Sequence, residues 1–280
     1  MRIGIVIPAF NAAGWIETCL HALVAQAHAG WVAVLVDDGS TDATGAIAGA
    51  IADPRVLITR QANAGVSAAR NRGLAMLPAT DALLFLDADD WLAPDALERL
   101  ASALAAAPHA IAASGACGFV AEGAGPGTRP RRVKRPPPGD LLMPLLERNL
   151  FANGGQVLIR REAADLAGHF RTDLSFGEDW EYWTRIAAFG PFTAAPGSPV
   201  LFVRERGRGA YLRQATDPAA FLACTEAIFT NPTLAARLGP VRLAERRIRA
   251  EAEHQWVVGR ALLRAARDRE GRGYLRRYVA

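Results

Sequence analysis

Two apolar runs in the first third of the chain each end on acidic residues. VAVLVDDGS ends on Asp37 and Asp38, and LLFLDADD ends on Asp87, Asp89 and Asp90. Continuous apolar runs of this kind are typical of strands that are buried on both faces of a parallel sheet. Because ionised carboxylates are costly in such a core, we expect them to face a cation at the sheet edge. The pattern predicts a metal-assisted nucleotide site.

The first 120 residues alternate β-rich runs with helical stretches, which is the pattern of βαβ units. The predicted fold class is α/β, with a Rossmann-like, mostly parallel sheet whose two faces are covered by helices. The predicted strands are Ile3–Ile7, Val32–Val36, Val56–Thr59 and Leu83–Leu86, and the predicted helices are Gly14–Ala27, Ala43–Ala52, Ser67–Met76 and Asp95–Ala107.

The rest of the chain is less regular. Glu122–Gly139 is rich in Gly, Pro and cationic residues, which predicts an exposed loop. We expect a strand at VLIRR, a helix over Glu178–Ala188 and a return along the sheet over Pro191–Val203. From Asp217 onward the apolar residues recur at helical spacing, which predicts a C-terminal helical extension.

Composition narrows the class of protein. The 280 residues are 51% hydrophobic, so we expect a globular chain with a substantial core. No apolar run is long enough to span a membrane and the N-terminal segment lacks a secretory apolar region, so we expect a cytoplasmic protein. The three cysteines are odd in number and far apart, which excludes a disulfide framework and a cysteine-based zinc site.

Charge is unevenly distributed along the chain. Residues 1–120 carry a net charge of −5, and residues 121–280 carry +9. The C-terminal excess has two interpretations: a solvated helix face interlaced with Glu, or a surface that docks peripherally on the anionic inner face of the membrane. We do not expect nucleic acid as a partner, because no DNA-binding helix pair and no aromatic-basic motif is evident.

The carboxyl ends of parallel strands converge on one crevice, so the two acidic segments are expected to line one pocket. Residues two apart on an extended segment point the same way, which lets Asp87 and Asp89 of the D-x-D sequence address one ligand while Ala88 points elsewhere. Oxygen ligands suit Mg²⁺ or Mn²⁺, which could bridge to a diphosphate and neutralise a leaving phosphate.

Five segments reinforce this interpretation, and they are IVIPAFN, VDDGSTD, NAGVSAARNRGL, LDADD and GEDWEYWTRIAAFG. In this order they resemble the successive motifs of family 2 glycosyltransferases with the GT-A fold. The resemblance spans residues 3–190. It implies a nucleotide-sugar-binding half over residues 1–120 and an acceptor-binding, catalytic half over 121–210. Residues 211–280 are expected to form the helical C-terminal extension.

The resemblance implies a metal-assisted, inverting transfer of a sugar from a nucleoside diphosphate donor, most commonly a UDP-sugar. The acceptor is the hydroxyl of a saccharide or of a lipid-linked saccharide, in polysaccharide or glycolipid assembly. Asp38 is expected to bind the base, with Phe10 beside it, and Arg70 to approach the nucleotide and phosphates. Asp87 is expected to touch the ribose or the metal's water shell. Asp89 is expected to coordinate the metal.

Asp179 in GED corresponds to the general base of the family. Inversion by single displacement requires a base opposite the leaving diphosphate, and a carboxylate can accept the proton of the acceptor hydroxyl. The aromatic residues after it, Trp180, Tyr182 and Trp183, suit stacking on a sugar ring. A helix face that packs into the core is the alternative for Trp180 and Trp183.

The sequence departs from the family in one segment. Many members carry a Tyr-Arg and then a His after the late strand, whereas this chain reads RERGRGAY. Arg204, Arg206 and Arg208 could bind the diphosphate through forked hydrogen bonds instead. The missing His leaves the final ligand of the metal open.

Plainer explanations stand beside these roles. Asp38 could stabilise its turn, Asp179 could favour a helix N-terminus, and Asp87 and Asp89 could be solvated. A sugar-nucleotide pyrophosphorylase is a second possible enzyme, although PAFNAAGW lacks the Gly-rich, Arg-bearing loop that such an enzyme needs. A non-catalytic sugar- or partner-binding module predicts the loss of an essential carboxylate, and Asp38, Asp89 and Asp179 are all present.

Overall fold

The computed structural model describes residues 1–205 and 216–279. Within these residues, one sheet has seven strands and a second has four. The strands are β1 (Ile3–Ala9), β2 (Trp31–Asp37), β3 (Val56–Arg60), β4 (Ala82–Phe85), β5 (Trp91–Leu92), β6 (Ala112–Ser114), β7 (Cys117–Ala121), β8 (Arg132–Lys134), β9 (Val157–Arg160), β10 (Phe192–Ala194) and β11 (Leu201–Glu205).

The larger sheet has the strand order β10-β6-β9-β4-β1-β2-β3. β1 pairs in parallel with β2 and β4, β2 with β3, and β6 with β10, whereas β9 is antiparallel to β4 and β6. The central strands β1, β2 and β4 are almost wholly buried, as their continuous apolar sequences predict. This mostly parallel sheet confirms the predicted α/β class.

Helices lie in the connections between these strands and dominate the C-terminal part. Their bounds are α1 (Ile16–Val24), α2 (Thr44–Ile51), α3 (Val66–Met76), α4 (Ala96–Ala106), α5 (Leu142–Glu147), α6 (Arg161–Ala167), α7 (Glu178–Ala187), α8 (Pro218–Phe229), α9 (Pro232–Leu238), α10 (Pro240–Arg264) and α11 (Asp268–Val279). No helix in the described ranges is both long and apolar enough to cross a membrane.

The chain divides into two compact units. The first contains both sheets and comprises Met1–Asp140, Phe151–Phe170 and Phe189–Glu205. The second comprises Leu141–Leu150, Arg171–Ala188 and Arg206–Ala280, and within the described residues it is helical. The functional halves expected at residues 1–120 and 121–210 stay a prediction.

The structure differs from the sequence predictions in three places. β3 is an edge strand on which Leu57 and Ile58 are 41% and 42% exposed, so the faces of the sheet are not covered there. The expected loop over Glu122–Gly139 contains the short strand β8, which pairs with β7. The segment expected to return along the sheet forms β10 in the larger sheet and β11 in the smaller one.

Candidate active site

The turns after β1 and β2 are joined by hydrogen bonds at the carboxyl edge of the larger sheet. The Asn11 side chain accepts from the backbone N–H of Thr41 at 2.9 Å, and the Asn11 N–H donates to the Ser40 hydroxyl at 3.0 Å. Asn11 has a φ of 49°, which Asn tolerates better than most residues. The joined turns leave Phe10 half exposed, so its ring is available to a ligand.

Asp38, directly after β2, is buried and accepts three hydrogen bonds. Its Oδ1 accepts from the Gln61 amide at 2.7 Å and from the Ala64 N–H at 2.9 Å, and its Oδ2 accepts from the Gly65 N–H at 2.9 Å. Gly65 has a φ of 90° and begins α3. Asp38 therefore stabilises the loop that leads into α3, as in the plainer explanation given for this residue above.

Asp37 is also buried and has different partners. One oxygen accepts from the Ser40 N–H at 2.8 Å, and the other accepts from the Arg60 guanidinium at 3.1 Å. The Arg60 side chain is 62% exposed, so water shares this ion pair. The two adjacent carboxylates thus support two different loops.

The acidic residues after β4 alternate in exposure. Asp87 and Asp89 are partly exposed, whereas Ala88 between them is buried. The segment is not extended as the sequence predicted: residues 87–90 form a turn in which the Asp90 N–H donates to the Asp87 carbonyl at 3.1 Å. Asp87 pairs with Arg70 at 3.0 Å, and the Arg70 side chain is only 5% exposed. The Arg70 guanidinium also lies 5.1 Å from the centre of the Phe170 ring.

Helix α3 connects the two groups of carboxylates. Its N-terminal loop is bound by Asp38, and one turn further Arg70 reaches Asp87. The helix lies close to β1 because Gly73 has no Cβ: a methyl group there would be 2.3 Å from a Val6 methyl. The first unit therefore brings Phe10, Asp38, Arg70, Asp87 and Asp89 to one edge of the sheet.

The carboxylate of Asp90 is buried and binds groups of the protein itself. It accepts hydrogen bonds from the Asn153 amide and, at 2.9 Å, from the Arg204 N–H. Burial, together with the negative charges of Asp89 and Asp87, raises the pKa of this carboxyl well above its usual range. Asp90 therefore links the end of β4 to β11.

The structure corrects the diphosphate role proposed for Arg204. Its side chain is buried against the Trp91 ring, 4.4 Å from the ring centre, and donates to the carbonyl oxygens of Asp89 and Ala124. A guanidinium used in this way is not available to a diphosphate. Arg206 and Arg208 lie outside the described residues.

Asp179 belongs to the second unit, where it lies in the first turn of α7. One of its oxygens accepts from the Trp180 N–H at 2.6 Å, and the other accepts from the Asn149 amide at 3.2 Å. The residue is partly exposed, so it can meet a substrate hydroxyl. Sequence reasoning missed Asn149, because a partner thirty residues away has no local signal.

The turn before Asp179 packs against α8. Gly177 has a φ of 73°, and a Cβ there would lie 2.6 Å from the sulfur of Cys224. The Cys224 thiol donates to the Gly177 carbonyl at 3.2 Å. Burial and the nearby charge of Asp179 raise the pKa of this thiol well above its usual value, so it stays neutral at physiological pH.

The aromatic residues of α7 form part of the core rather than a sugar platform. Trp180, Tyr182 and Trp183 are at most 3% exposed, and the Trp180 ring donates to the Leu145 carbonyl at 2.5 Å. Trp180 also meets Phe221 edge to face. Their stacking on a sugar, which the sequence suggested, does not fit this burial.

The donor set after β4 fits a hard divalent cation. Asp87 and Asp89 offer partly exposed carboxylate oxygens, and Mg²⁺ is commonly held by one or two carboxylates together with substrate phosphates and water. Among the described residues no group of three His, Cys, Asp or Glu could enclose a metal. Any further ligands would therefore come from the substrate, from water or from other atoms of the chain.

Comparison with known proteins adds to this geometry. The family described as Glycosyl transferase family 2 matches residues 4–166, which is more than half of the chain. Glycosyltransferase GlyA of Streptococcus pneumoniae is 38% identical over 101 residues, which is 35% of this chain but 14% of GlyA. The chain thus spans only a small part of that relative.

Two solved structures share the fold over nearly the whole chain. Staphylococcus aureus TarS 1–349 in complex with UDP-GlcNAc has a TM-score of 0.61 and 14% identity, covering 93% of this chain and 83% of the other. The mannosyltransferase PcManGT of Pyrobaculum calidifontis, in complex with GDP-Man and Mn²⁺, has a TM-score of 0.60 and 22% identity, covering 95% and 74%. These similarities identify the fold as GT-A type.

Proposed function

The chain belongs to glycosyltransferase family 2, and we propose that it transfers a sugar from a nucleoside diphosphate donor to an acceptor hydroxyl, with inversion at the anomeric carbon. The observation that supports this most is the link through α3. Asp38 binds the loop before α3, and Arg70 on α3 binds Asp87, so the two acidic segments form one edge. The match to family 2 favours this enzyme over a pyrophosphorylase.

Each carboxylate of the edge has a proposed role. Asp38 retains acceptor capacity on Oδ2, which accepts one hydrogen bond, from the Gly65 N–H, and this oxygen suits an imide N–H of a base. Phe10 lies on the joined turns beside it and offers an exposed ring to that base. Arg70 holds Asp87 toward the ribose side and adds positive charge close to the phosphates.

Asp89 is proposed to hold the divalent cation, Mg²⁺ or Mn²⁺. When bound, the cation would supply charge neutralisation for the departing diphosphate. The Arg204 guanidinium donates to the backbone carbonyl of Asp89. This hydrogen bond fixes the backbone that carries the Asp89 carboxylate. Asp90 fixes the same backbone by its bonds to β11 and to Asn153.

Asp179 is proposed to accept the proton of the acceptor hydroxyl. The Trp180 N–H and the Asn149 amide donate to its two oxygens and hold the carboxylate in one orientation. The acceptor is proposed to be a saccharide or a lipid-linked saccharide in glycan assembly. The donor is proposed to be a UDP-sugar; the solved TarS complex contains UDP-GlcNAc and that of PcManGT contains GDP-Man, so both bases need testing.

Thermal-shift titration tests the donor site. The melting temperature is measured with UDP, GDP and dTDP, each with and without Mn²⁺. UDP is expected to stabilise the protein most, and only with Mn²⁺. Asp89→Asn is expected to abolish the Mn²⁺-dependent shift in melting temperature. The control Asp165→Asn, which changes an exposed carboxylate of α6, is expected to retain this shift. If no nucleotide shifts the melting temperature, the donor site is refuted.

Hydrolysis of the donor tests whether Asp179 is the general base. With water as acceptor, release of sugar from the donor is expected to fall by about a hundredfold or more in Asp179→Asn, the size typical of losing a general base. Nucleotide binding should be retained. The control is Asp173→Asn, an exposed carboxylate of the same unit. NMR of the first-released anomer reports inversion, and normal turnover in Asp179→Asn would exclude the assignment.

A further inference from the structure

Helix α10 of the second unit exposes large apolar side chains along one side. Val241 is 70% exposed, Ile248 69% and Trp256 36%. At 3.6 residues per turn, these three lie within about 80° of arc and extend over about 22 Å of helix. Single exposed apolar side chains are common on proteins, whereas three aligned on one side of a helix form a candidate binding surface.

Arginines lie along one flank of this apolar row. On the same helical wheel they fall at about 80–140° from Val241, and they are Arg242, Arg249, Arg260 and Arg264. The Arg260 guanidinium lies 5.2 Å from the centre of the Trp256 ring. Arg249 pairs with Glu147 at 3.3 Å. Arg242 and Arg264 are exposed, and within the part of the chain that the structure describes neither forms an ion pair.

The opposite side of α10 is already occupied. Leu243, Ala250, His254 and Ala261 fall at about 180–220° from Val241 and are buried, so the helix is anchored in its unit. The exposed row ends after Trp256, because Gly259, in line with Val241, is buried against Leu275 of α11. Two acidic residues lie on this side of the helix: Glu245 falls at about 40°, within the apolar arc, and the partly exposed Glu253 at about 120°, within the arginine flank. Residues 216–279 nevertheless contain twelve Arg against seven Asp or Glu, so the helical part is cationic overall. The exposed row is therefore a formed surface with a positive flank.

We propose that this row, with its arginine flank, docks the protein on an anionic lipid bilayer. Phospholipid headgroups would neutralise the exposed guanidinium groups, and the acyl boundary would accept Val241, Ile248 and the ring of Trp256. A polyanion such as nucleic acid matches the charges but leaves the apolar row in water. The combination of both features favours lipid, and the proposal does not depend on the proposed sugar transfer.

Cosedimentation of the full chain with vesicles tests the charged flank. Binding is expected with phosphatidylcholine vesicles that contain about one third phosphatidylserine, to fall at high salt, and to be absent with phosphatidylcholine alone. Arg242→Gln/Arg264→Gln is expected to weaken binding about 25-fold, since each cation near the surface contributes about fivefold. The matched control Arg129→Gln/Arg131→Gln removes two exposed arginines of the first unit and should bind normally.

Substitutions in the apolar row distinguish binding to a lipid surface from binding to other anions. Ile248→Ser is expected to weaken vesicle binding about tenfold, because the side chain no longer enters the acyl boundary, while its melting temperature stays unchanged. A blue shift of Trp fluorescence on anionic vesicles should disappear in Trp256→Phe. Normal vesicle binding by Ile248→Ser, equal loss in both arginine pairs, or binding to RNA but not to vesicles would each overturn the proposal.

Discussion

The carboxylates after β2 are buried, whereas those after β4 are partly exposed. Asp37 and Asp38 are 2% and 3% exposed, and the oxygens of Asp38 accept two backbone N–H groups and an amide. The side chain of Asp87 is 29% exposed, and Asp89 is likewise partly exposed. The first pair shapes loops and the second pair faces outward, although both come after an apolar strand.

The difference arises from the segment that each strand leads into. After β2 the chain turns toward α2, and the loop before α3 lies across the strand end, so its N–H groups need acceptors. After β4 the chain turns over residues 87–90, where the Asp90 N–H donates to the Asp87 carbonyl, and this turn leaves the side chains of Asp87 and Asp89 partly exposed. A carboxylate can therefore be structural, ligand-facing or both, and substitution separates these contributions.

The largest effect on stability is expected for Asp38→Asn. An amide keeps one acceptor oxygen, so at least one of the N–H groups of Ala64, Gly65 and Gln61 would face another donor. Leaving a buried donor unsatisfied costs about 1–3 kcal/mol, and we expect a loss of about 3 kcal/mol. Urea unfolding measures this loss.

The neighbouring substitution Asp37→Asn is the matched control. The amide oxygen of the variant would keep the bond from the Ser40 N–H, and the exposed Arg60 can turn to water, so a loss of about 1 kcal/mol is expected. Equal losses in the two variants would show that the loop before α3 does not depend on Asp38, and the contrast between the strand ends would fail.

An intermediate effect is expected for Gly177→Ala, which extends the comparison to the turn that carries Asp179. Ala at a φ of 73° costs about 1–2 kcal/mol, and its Cβ would also displace the Cys224 sulfur. We expect a loss of about 2 kcal/mol in unfolding free energy. Turnover should fall more than nucleotide binding, because the turn carries Asp179, the proposed base, whereas the residues of the proposed donor site belong to the other unit.

A double-mutant cycle isolates the contact with the thiol. In a Cys224→Ala background the sulfur is absent, so the added cost of Gly177→Ala should shrink toward the backbone contribution alone. Identical costs in both backgrounds would show that the sulfur does not restrict this turn. The loss of unfolding free energy in Cys224→Ala alone then measures how much the thiol stabilises the turn.

The parts of the fold that depend on local pattern were predictable. Continuous apolar runs located β1, β2 and β4, and the carboxylates of the proposed site directly follow β2 and β4. Helical periodicity located α1 to α4 and the C-terminal helices, with ends that differ by a few residues. These features depend on residues close in sequence, for which periodicity is informative.

The parts that depend on distant partners were not predictable. The smaller sheet joins β5, β11, β7 and β8, which are short and far apart in the chain. The burial of Arg204 on Trp91 and the reach of Asn153 to Asp90 likewise join residues from separate segments. Arg204 consequently resembled a phosphate ligand in the sequence, although its surroundings make it a support for the site.

The smallest effect on stability is expected for Asp89→Asn, and it completes the contrast with Asp38. The negative charge of Asp89 attracts the Arg204 guanidinium, but it also repels the Asp90 carboxylate and raises the pKa of Asp90. Removing the charge of Asp89 therefore loses one attraction and relieves one repulsion. We expect a change below about 1 kcal/mol by urea unfolding without nucleotide, as for most partly exposed positions. A loss as large as that of Asp38→Asn would mean that both strand ends are structural. A small loss, combined with loss of the metal-dependent nucleotide shift, would place the ligand-facing role after β4.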